Sequence, residues 1–494
     1  MSNPTTLDPM NTIHGLYRSY QNNSTKPSVV VQGYLDEIER LNPRLGAYQN
    51  NSTKPSIVVQ AFLDEIERLN PRLGAYQDTW ADTALEMAAA ADKALAAGFA
   101  AGPFYGMPYA LKDIFHVKGK VTTCGSAAML DNIASTNSTV VQRLKAAGGI
   151  ILGKTKTVEC AFGGWGTNQK MGTPMNPWDM ETHRIPGGSS SGTAVAVASG
   201  MAPCGMGSDT GGSIRLPAAY CGLVGLKVTA GRLPLHGIMP LSQSLDTPGP
   251  IAQTVLDCLI MFDVLDGREG WKIAQDMDSG DGLYAALNRG VSGLRLGSLA
   301  DSERQQCSED MLASYDMALD RLRVMGAEII PFENPVPYGD MADDNGMITA
   351  VEAFHNHGRL YKNPDLPMDE DVRTRMLLGE HYHAHDYFRV LQQRKEAMAV
   401  FGDAMRRFDA LVMPSSTSTA PALTNVDQAV SPGYFTRPFN FLEMCGLSLP
   451  INLASDGMPT SLQIVGKAHD EAMCLRVGAA LEQDLPPVGR PDLS

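Results

Sequence analysis

The chain has 494 residues, with 40 Lys and Arg against 54 Asp and Glu, for a formal charge of −14. That acidity argues against a general phosphate-backbone binder, which needs a basic surface. With 44% hydrophobic and 19% charged residues, the chain can build a large core, and global disorder is excluded.

The N-terminal MSNPTTLDPMN has no basic n-region and no apolar h-region, so no secretory signal is expected. Residues 21–48 then repeat as 49–76, matching at 25 of 28 positions and differing only at Val29/Ile57, Gly33/Ala61 and Tyr34/Phe62. Two copies are too few for a solenoid. Each copy reads as one helix followed by an Asn-Pro stop (Asn42-Pro43, Asn70-Pro71). In the second copy Val58, Phe62, Ile66 and Leu69 form one apolar face, and Pro55 suits a first helical turn. The first copy offers the same face with Val30, Tyr34, Ile38 and Leu41. A body with one groove for this helix seats one copy only.

An Ala-rich helix is predicted over about 79–97, stopped by Gly98. A helix over 138–147 leads into a strand at 149–152, and a helix over 191–199 is followed by a glycine-rich loop. Helix 309–325 with strand 327–330, and helix 395–406 with strand 410–413, repeat the alternation. This predicts an α/β fold, a sheet covered by helices. Length alone suggests about three domains, yet no polar linker separates any. The expected division is an N-terminal helical segment, 1–76, and one large domain, 77–494. The charged, Met-rich stretch 268–405 is read as an insertion or cap. No apolar run reaches the roughly 18–20 residues of a membrane span; Leu256–Leu265 is interrupted by Asp257 and Asp263. Eight scattered cysteines without a CxxC pair fit reduced thiols in a cytoplasmic protein.

Three short motifs invite functions that their surroundings oppose. Gly148-Gly-Ile-Ile-Leu-Gly-Lys-Thr155 has the spacing of a phosphate loop, but a helix precedes its first glycine and Ile150-Ile151-Leu152 is itself the strand, the reverse of the required order. Gly188-Ser-Ser-Ser-Gly192 has the spacing of a nucleophile elbow around Ser190, but loop residues (His183-Arg-Ile-Pro-Gly187) stand where a buried strand is needed. His381, His383 and His385, with Glu352, His355 and His357 upstream, suggest a metal-dependent hydrolase. The surroundings read as helical, so His381 and His385 would share a face and His383 would not.

The most informative stretch is 185–232. Two serine-bearing glycine loops, at Ser189 and Ser213, stand 24 residues apart with small residues between them. Thr210-Gly211-Gly212-Ser213 leads into a short helix, so successive N–H groups can converge on an oxyanion. With this stretch the sequence resembles the amidase signature family, in particular its bacterial aryl-amidase and urethanase-type members. The resemblance extends to Gly106-Met-Pro-Tyr-Ala-Leu-Lys112-Asp113, Gly153-Lys-Thr-Lys-Thr-Val-Glu159, Asn176-Pro-Trp-Asp179, Ser244-Leu-Asp246-Thr-Pro-Gly-Pro250 and Gly457-Met-Pro-Thr-Ser-Leu-Gln463-Ile.

The resemblance implies a single mixed sheet wrapped by helices and a Ser–cis-Ser–Lys triad. By motif, Ser213 is the nucleophile, Ser189 the cis serine and Lys112 the base. The amides of Thr210, Gly211, Gly212 and Ser213 form the oxyanion hole, and Ala161, Phe162 and Gly163 border the substrate. Ser190, Asp209 and Arg215 are expected to support the loops, Asp209 and Arg215 as an ion pair. Ser191 stands where the family usually has Gly. Cys124, Cys160 and Cys221 are expected to be core filler. The implied activity is hydrolysis of a C–N bond in a small or aryl amide, with carbamates and esters chemically adjacent, and without cofactor or metal. The expected partner is a small-molecule amide or carbamate, with no nucleic acid and no membrane; a homodimer is compatible. The alternative is the glutamine-hydrolysing subunit of a tRNA-dependent amidotransferase. The segment Phe439–Gly446 is more apolar than a free-glutamine pocket needs, which favours a stand-alone hydrolase.

Overall fold

The structure is a computed structural model that describes Thr12, residues 54–99 and residues 102–493. The first repeat copy, with its face of Val30, Tyr34, Ile38 and Leu41, lies outside the described residues. The second copy forms helix α1 (Pro55–Leu73), which begins at Pro55 and buries Val58, Phe62, Ile66 and Leu69 together. The expected Asn-Pro stop is corrected. Pro71 lies inside the helix, which closes at Gly74 with φ 64°. A proline in the last turn forfeits one backbone bond, and the left-handed glycine supplies the termination. Asn70 bridges onward instead: its Oδ1 accepts from the Tyr76 amide at 2.7 Å.

The sheet has eleven strands among the described residues: β1 (Tyr76–Thr79), β2 (Pro108–Lys112), β3 (Ile150–Thr155), β4 (Cys204–Asp209), β5 (Val224–Lys227), β6 (Thr247–Ala252), β7 (Arg295–Leu299), β8 (Glu328–Phe332), β9 (Ala410–Pro414), β10 (Cys445–Leu453) and β11 (Pro459–Gly466). Their order is β1-β3-β2-β4-β6-β5-β10-β11-β9-β7-β8. The β3–β2–β4 and β9–β7–β8 runs are parallel and the remaining pairs antiparallel, so the sheet is mixed, as the sequence implies. Strands β2 to β6 are buried along their whole length, because helices cover both faces.

Helices α2 (Ala81–Ala96), α3 (Thr139–Ala146), α4 (Ser191–Ala198), α5 (Arg215–Tyr220), α6 (Val255–Leu265) and α7 (Glu309–Val324) follow in chain order. Helix α6 is the interrupted apolar stretch, and both Asp257 and Asp263 are buried within it. No helix among the described residues is long and apolar enough to cross a membrane. The expected cap, 268–405, is only partly a cap, since β7 and β8 extend the sheet itself. Besides α7, that stretch includes α8 (Tyr338–Tyr361), α9 (Glu370–Leu378) and α10 (Ala384–Met405). Helix α10 starts eleven residues earlier than expected, because Asp386 accepts the His383 amide at 3.2 Å and caps the first turn. A short helix, α11 (Arg437–Phe441), precedes β10.

One placement follows directly from topology. Strands β2 and β4 are parallel neighbours, so their C-terminal ends open on the same side. Lys112 ends β2, while Asp209 ends β4 and hands the chain to Thr210–Ser213.

Candidate active site

Lys112 is fully buried, with Nζ 2.7 Å from Ser189 Oγ and 2.8 Å from Ser208 Oγ. Burial pushes its ammonium down to about 7, although nearby Cys124, Asp246 and Asp209 pull the other way. A lysine so placed exists partly as a neutral amine near pH 7 and can accept a proton. Ser189 follows a cis peptide bond at Gly188–Ser189, and its carbonyl accepts from Thr157 Oγ1 at 2.9 Å. Ser190 carries no elbow geometry: its Oγ donates to the Ser213 carbonyl at 2.6 Å and its amide to the same oxygen at 3.3 Å. The two serine loops are thereby tied together, and Ser213 is held beside the Ser189 turn. Ser191 opens α4 with a buried hydroxyl that has no hydrogen-bond partner among the described residues.

The loop after β4 is organised from beneath by one ion pair. Arg215 and Asp209 are both fully buried, with Nη2–Oδ1 at 2.9 Å and Nε–Oδ2 at 3.0 Å. Burial pushes the Asp209 carboxyl up, but the Arg215 guanidinium outweighs it and holds the group well below the usual carboxylate range. Gln463 Oε1 accepts from Arg215 Nη1 at 2.6 Å, and Asn440 Oδ1 accepts from Nη2. Asp209 also accepts the amides of Gly212 at 2.8 Å and Ile214 at 3.1 Å. The Gly212 amide is therefore committed to Asp209, a correction to its expected place in the oxyanion hole. Thr210, Gly211 and Ser213 remain as candidate donors. Gly212 has φ 128°, and a Cβ there would lie 2.3 Å from Thr436 Oγ1, so only glycine fits.

A small cavity is lined by Ile114, Ala161, Ser208, Ile238, Met239 and Asp246 among others. Ala161 thus shares a small cavity with Ser208, the second hydrogen-bond partner of Lys112. Phe162 is buried, and its carbonyl accepts from Arg375 Nε at 3.1 Å. Gly163 lies against the Arg375 guanidinium.

A profile of the family described as Amidase matches residues 57–475. The chain belongs to the amidase signature family. It is therefore an amidohydrolase of that family, a hydrolase acting on C–N bonds. The chain is 34% identical over 433 residues to the 2-amino-5-chloromuconic acid deaminase of Comamonas testosteroni, covering 84% of this chain and 90% of that protein. It is also 34% identical to a glutamyl-tRNA(Gln) amidotransferase subunit of Corynebacterium jeikeium, covering 81% of this chain and 87% of that protein. The native peptide amidase of Stenotrophomonas maltophilia shares the fold with a TM-score of 0.76 at 27% identity, covering 92% of this chain and 98% of that one.

In this amidohydrolase the misleading motifs have structural places. The phosphate-loop spacing spans a turn and β3. The Gly149 and Ile150 amides donate to Leu144 and Met107, and Lys154 pairs with buried Asp113 at 2.9 Å. His381 closes a 3-10 turn and His383 precedes α10, so the expected helical face shared by His381 and His385 does not form. No group of three or more potential metal ligands comes together among the described residues. Glu352 accepts from Ser242, Ser244 and Tyr387 hydroxyls, each at 2.6 Å, and His357 Nε2 lies 2.7 Å from the Pro240 carbonyl. These residues fasten α8 to the loop before Asp246. Phe439 and Phe441 are core residues of α11, so their apolarity reflects packing and not a substrate pocket, which removes that argument against glutamine.

Two site residues escaped sequence reasoning. Ser208, the second neighbour of Lys112, is a plain strand residue in sequence. Asp246 is buried, and its carboxylate accepts from Thr210 Oγ1 and from the Leu241 and Ser242 amides. Burial pushes its pKa up to about 6 against those bonds and the Lys112 charge. It stands in a recognised motif, but nothing in that motif points to Thr210.

Proposed function

We propose that this amidohydrolase cleaves small or aryl amides through an acyl-enzyme on Ser213, with carbamates and esters as chemically adjacent substrates. The observation carrying this reading is the buried Lys112 amine 2.7 Å from Ser189 Oγ. Neutral Lys112 takes the Ser189 hydroxyl proton as Ser189 takes that of Ser213. Ser213 Oγ attacks the amide carbon, and the tetrahedral oxyanion meets the Thr210, Gly211 and Ser213 amides. The proton returns through Ser189 to the departing nitrogen, since an unprotonated amine leaves poorly. Water, deprotonated by the same relay, then hydrolyses the acyl-enzyme and releases the carboxylic acid.

The test is incubation of the purified chain with an aryl amide, an aryl carbamate and glutamine, beside Ser213→Ala and Lys112→Ala. The expected outcome is turnover of the aryl amide that both substitutions abolish. Turnover surviving Ser213→Ala would overturn the mechanism. Loss of activity with EDTA would return attention to the histidines. Preference for glutamine would favour the amidotransferase reading, which the 34% identity to such a protein keeps in the experiment.

A further inference from the structure

The run from Asp209 to Ser213 is held peptide by peptide. Its peptide bonds are trans. In a trans peptide the carbonyl and the next residue's N–H point opposite ways from one plane, so a donor on the carbonyl aims that N–H. The Asp209 carbonyl accepts from Thr247 Oγ1 at 2.9 Å and from Asn440 Nδ2 at 3.3 Å, which sets the plane of the Thr210 amide. The Gly211 carbonyl accepts from Thr436 Oγ1 at 2.8 Å. The amide of that plane is the Gly212 N–H, already given to Asp209. The Gly212 carbonyl accepts from the Leu216 amide at 2.7 Å, which sets the plane of the Ser213 N–H.

The Thr210 carbonyl has a different kind of donor. It accepts from Asn345 Nδ2 at 3.3 Å, and Asn345 lies on α8 in the variable helical region. Asn345 is 1% exposed, and its Oδ1 is 3.2 Å from where a Gly211 Cβ would be, so the side chain is pressed against this one peptide. The plane it holds carries the Gly211 N–H, one of the three amides left for the oxyanion. Gly211 has no side chain to hold that plane itself. Helix α8 is fixed well enough to do so. Two turns on, Glu352 accepts the Ser242 and Ser244 hydroxyls, and at the far end Tyr361 Oη donates to Glu159 Oε1 at 2.6 Å.

We infer that Asn345 is a positioning residue of the oxyanion hole: by donating to the Thr210 carbonyl it aims the Gly211 N–H at the oxyanion that forms when Ser213 attacks. The same bond polarises the peptide and strengthens its N–H as a donor. This rests on the amidase reading above and adds to it a residue outside the motifs that carry the family resemblance.

The test separates transition-state from ground-state effects, and its first readout needs no knowledge of the natural substrate. With diisopropyl fluorophosphate, Ser213 Oγ displaces fluoride from phosphorus, and the phosphoryl oxygen lies in the oxyanion hole. The second-order labelling rate of the full chain therefore reads the hole. Asn345→Leu and the smaller Asn345→Ala are expected to label about tenfold more slowly than the wild type. With 4-nitroacetanilide, kcat should fall by about the same factor while KM stays within about twofold. Thr436→Val is the comparison. It also removes a carbonyl donor from this loop, but from the plane whose N–H is spent on Asp209, and its labelling rate should fall by less than about threefold. Wild-type labelling rates in both Asn345 variants, or a loss no larger than that of Thr436→Val, would overturn the inference. So would a raised KM with kcat unchanged. Thermal melting checks each variant, and Asn345→Ala carries the comparison if Asn345→Leu does not fold. A wild type that is not labelled at all would sink the Ser213 mechanism and this inference with it, whereas normal labelling that the Asn345 variants leave untouched sinks the inference alone.

Discussion

At the scale of single residues, the site turns on a lysine kept from its usual charge. Because burial pushes Lys112 down to about 7, its neutral form is lost as pH falls through that value. Activity should therefore rise with pH to a plateau above about 7 and fall roughly tenfold per unit well below it; a flat kcat/KM profile between pH 5 and 8 would contradict a lysine base. Asp246 pulls the Lys112 pKa upward, so Asp246→Asn should move that acid limb to lower pH. The same substitution loosens Thr210, so the plateau should also drop. Arg215 predicts a different outcome. Truncation to Ala strands the buried Asp209 carboxylate and should cost about 3–5 kcal/mol, read by denaturant unfolding. Ser189, Ser213 and Lys112 were legible in sequence because they sit in short motifs of unusual composition. Ser208 and Asp246 were not. Their roles come from contacts between segments far apart in the chain, which composition around any one of them does not record.

At the scale of elements, α1 follows its apolar periodicity. Phe62 is buried within the face that the spacing indicates, and Phe62→Ala should cost about 3–5 kcal/mol in unfolding free energy. Strand β6 shows the opposite case. Its sequence, TPGPIA, carries two prolines that argue against an interior strand. It is accommodated because β5 pairs only with Ile251 and Ala252, leaving Pro248 and Pro250 a ladder partner on the β4 side alone. The early start of α10 was hidden for a related reason. A histidine and an aspartate form its cap, and that pair is no strong sequence signal for a helix start.

At the scale of the whole molecule, the duplicated helix is the plainest question. The second copy is built into the core and runs directly into β1, and the family match begins inside it at residue 57. Deleting residues 21–48 should therefore leave turnover and melting temperature largely intact; an inactive or unfolded product would show that both copies are required. The amino-acid sequence by itself determined the helix-to-strand alternation, the apolar face of α1 and the nature of the catalytic candidates, because periodicity and local motifs are properties of neighbouring residues. Only the tertiary structure decided the strand order, the Gly212 amide's commitment to Asp209, and the approach of Arg375 to the Ala161–Gly163 loop. Parallel pairing of β2 with β4 sets Lys112 against Ser208 across 96 positions of chain. Such closures depend on how distant surfaces share one core, a property no local stretch contains.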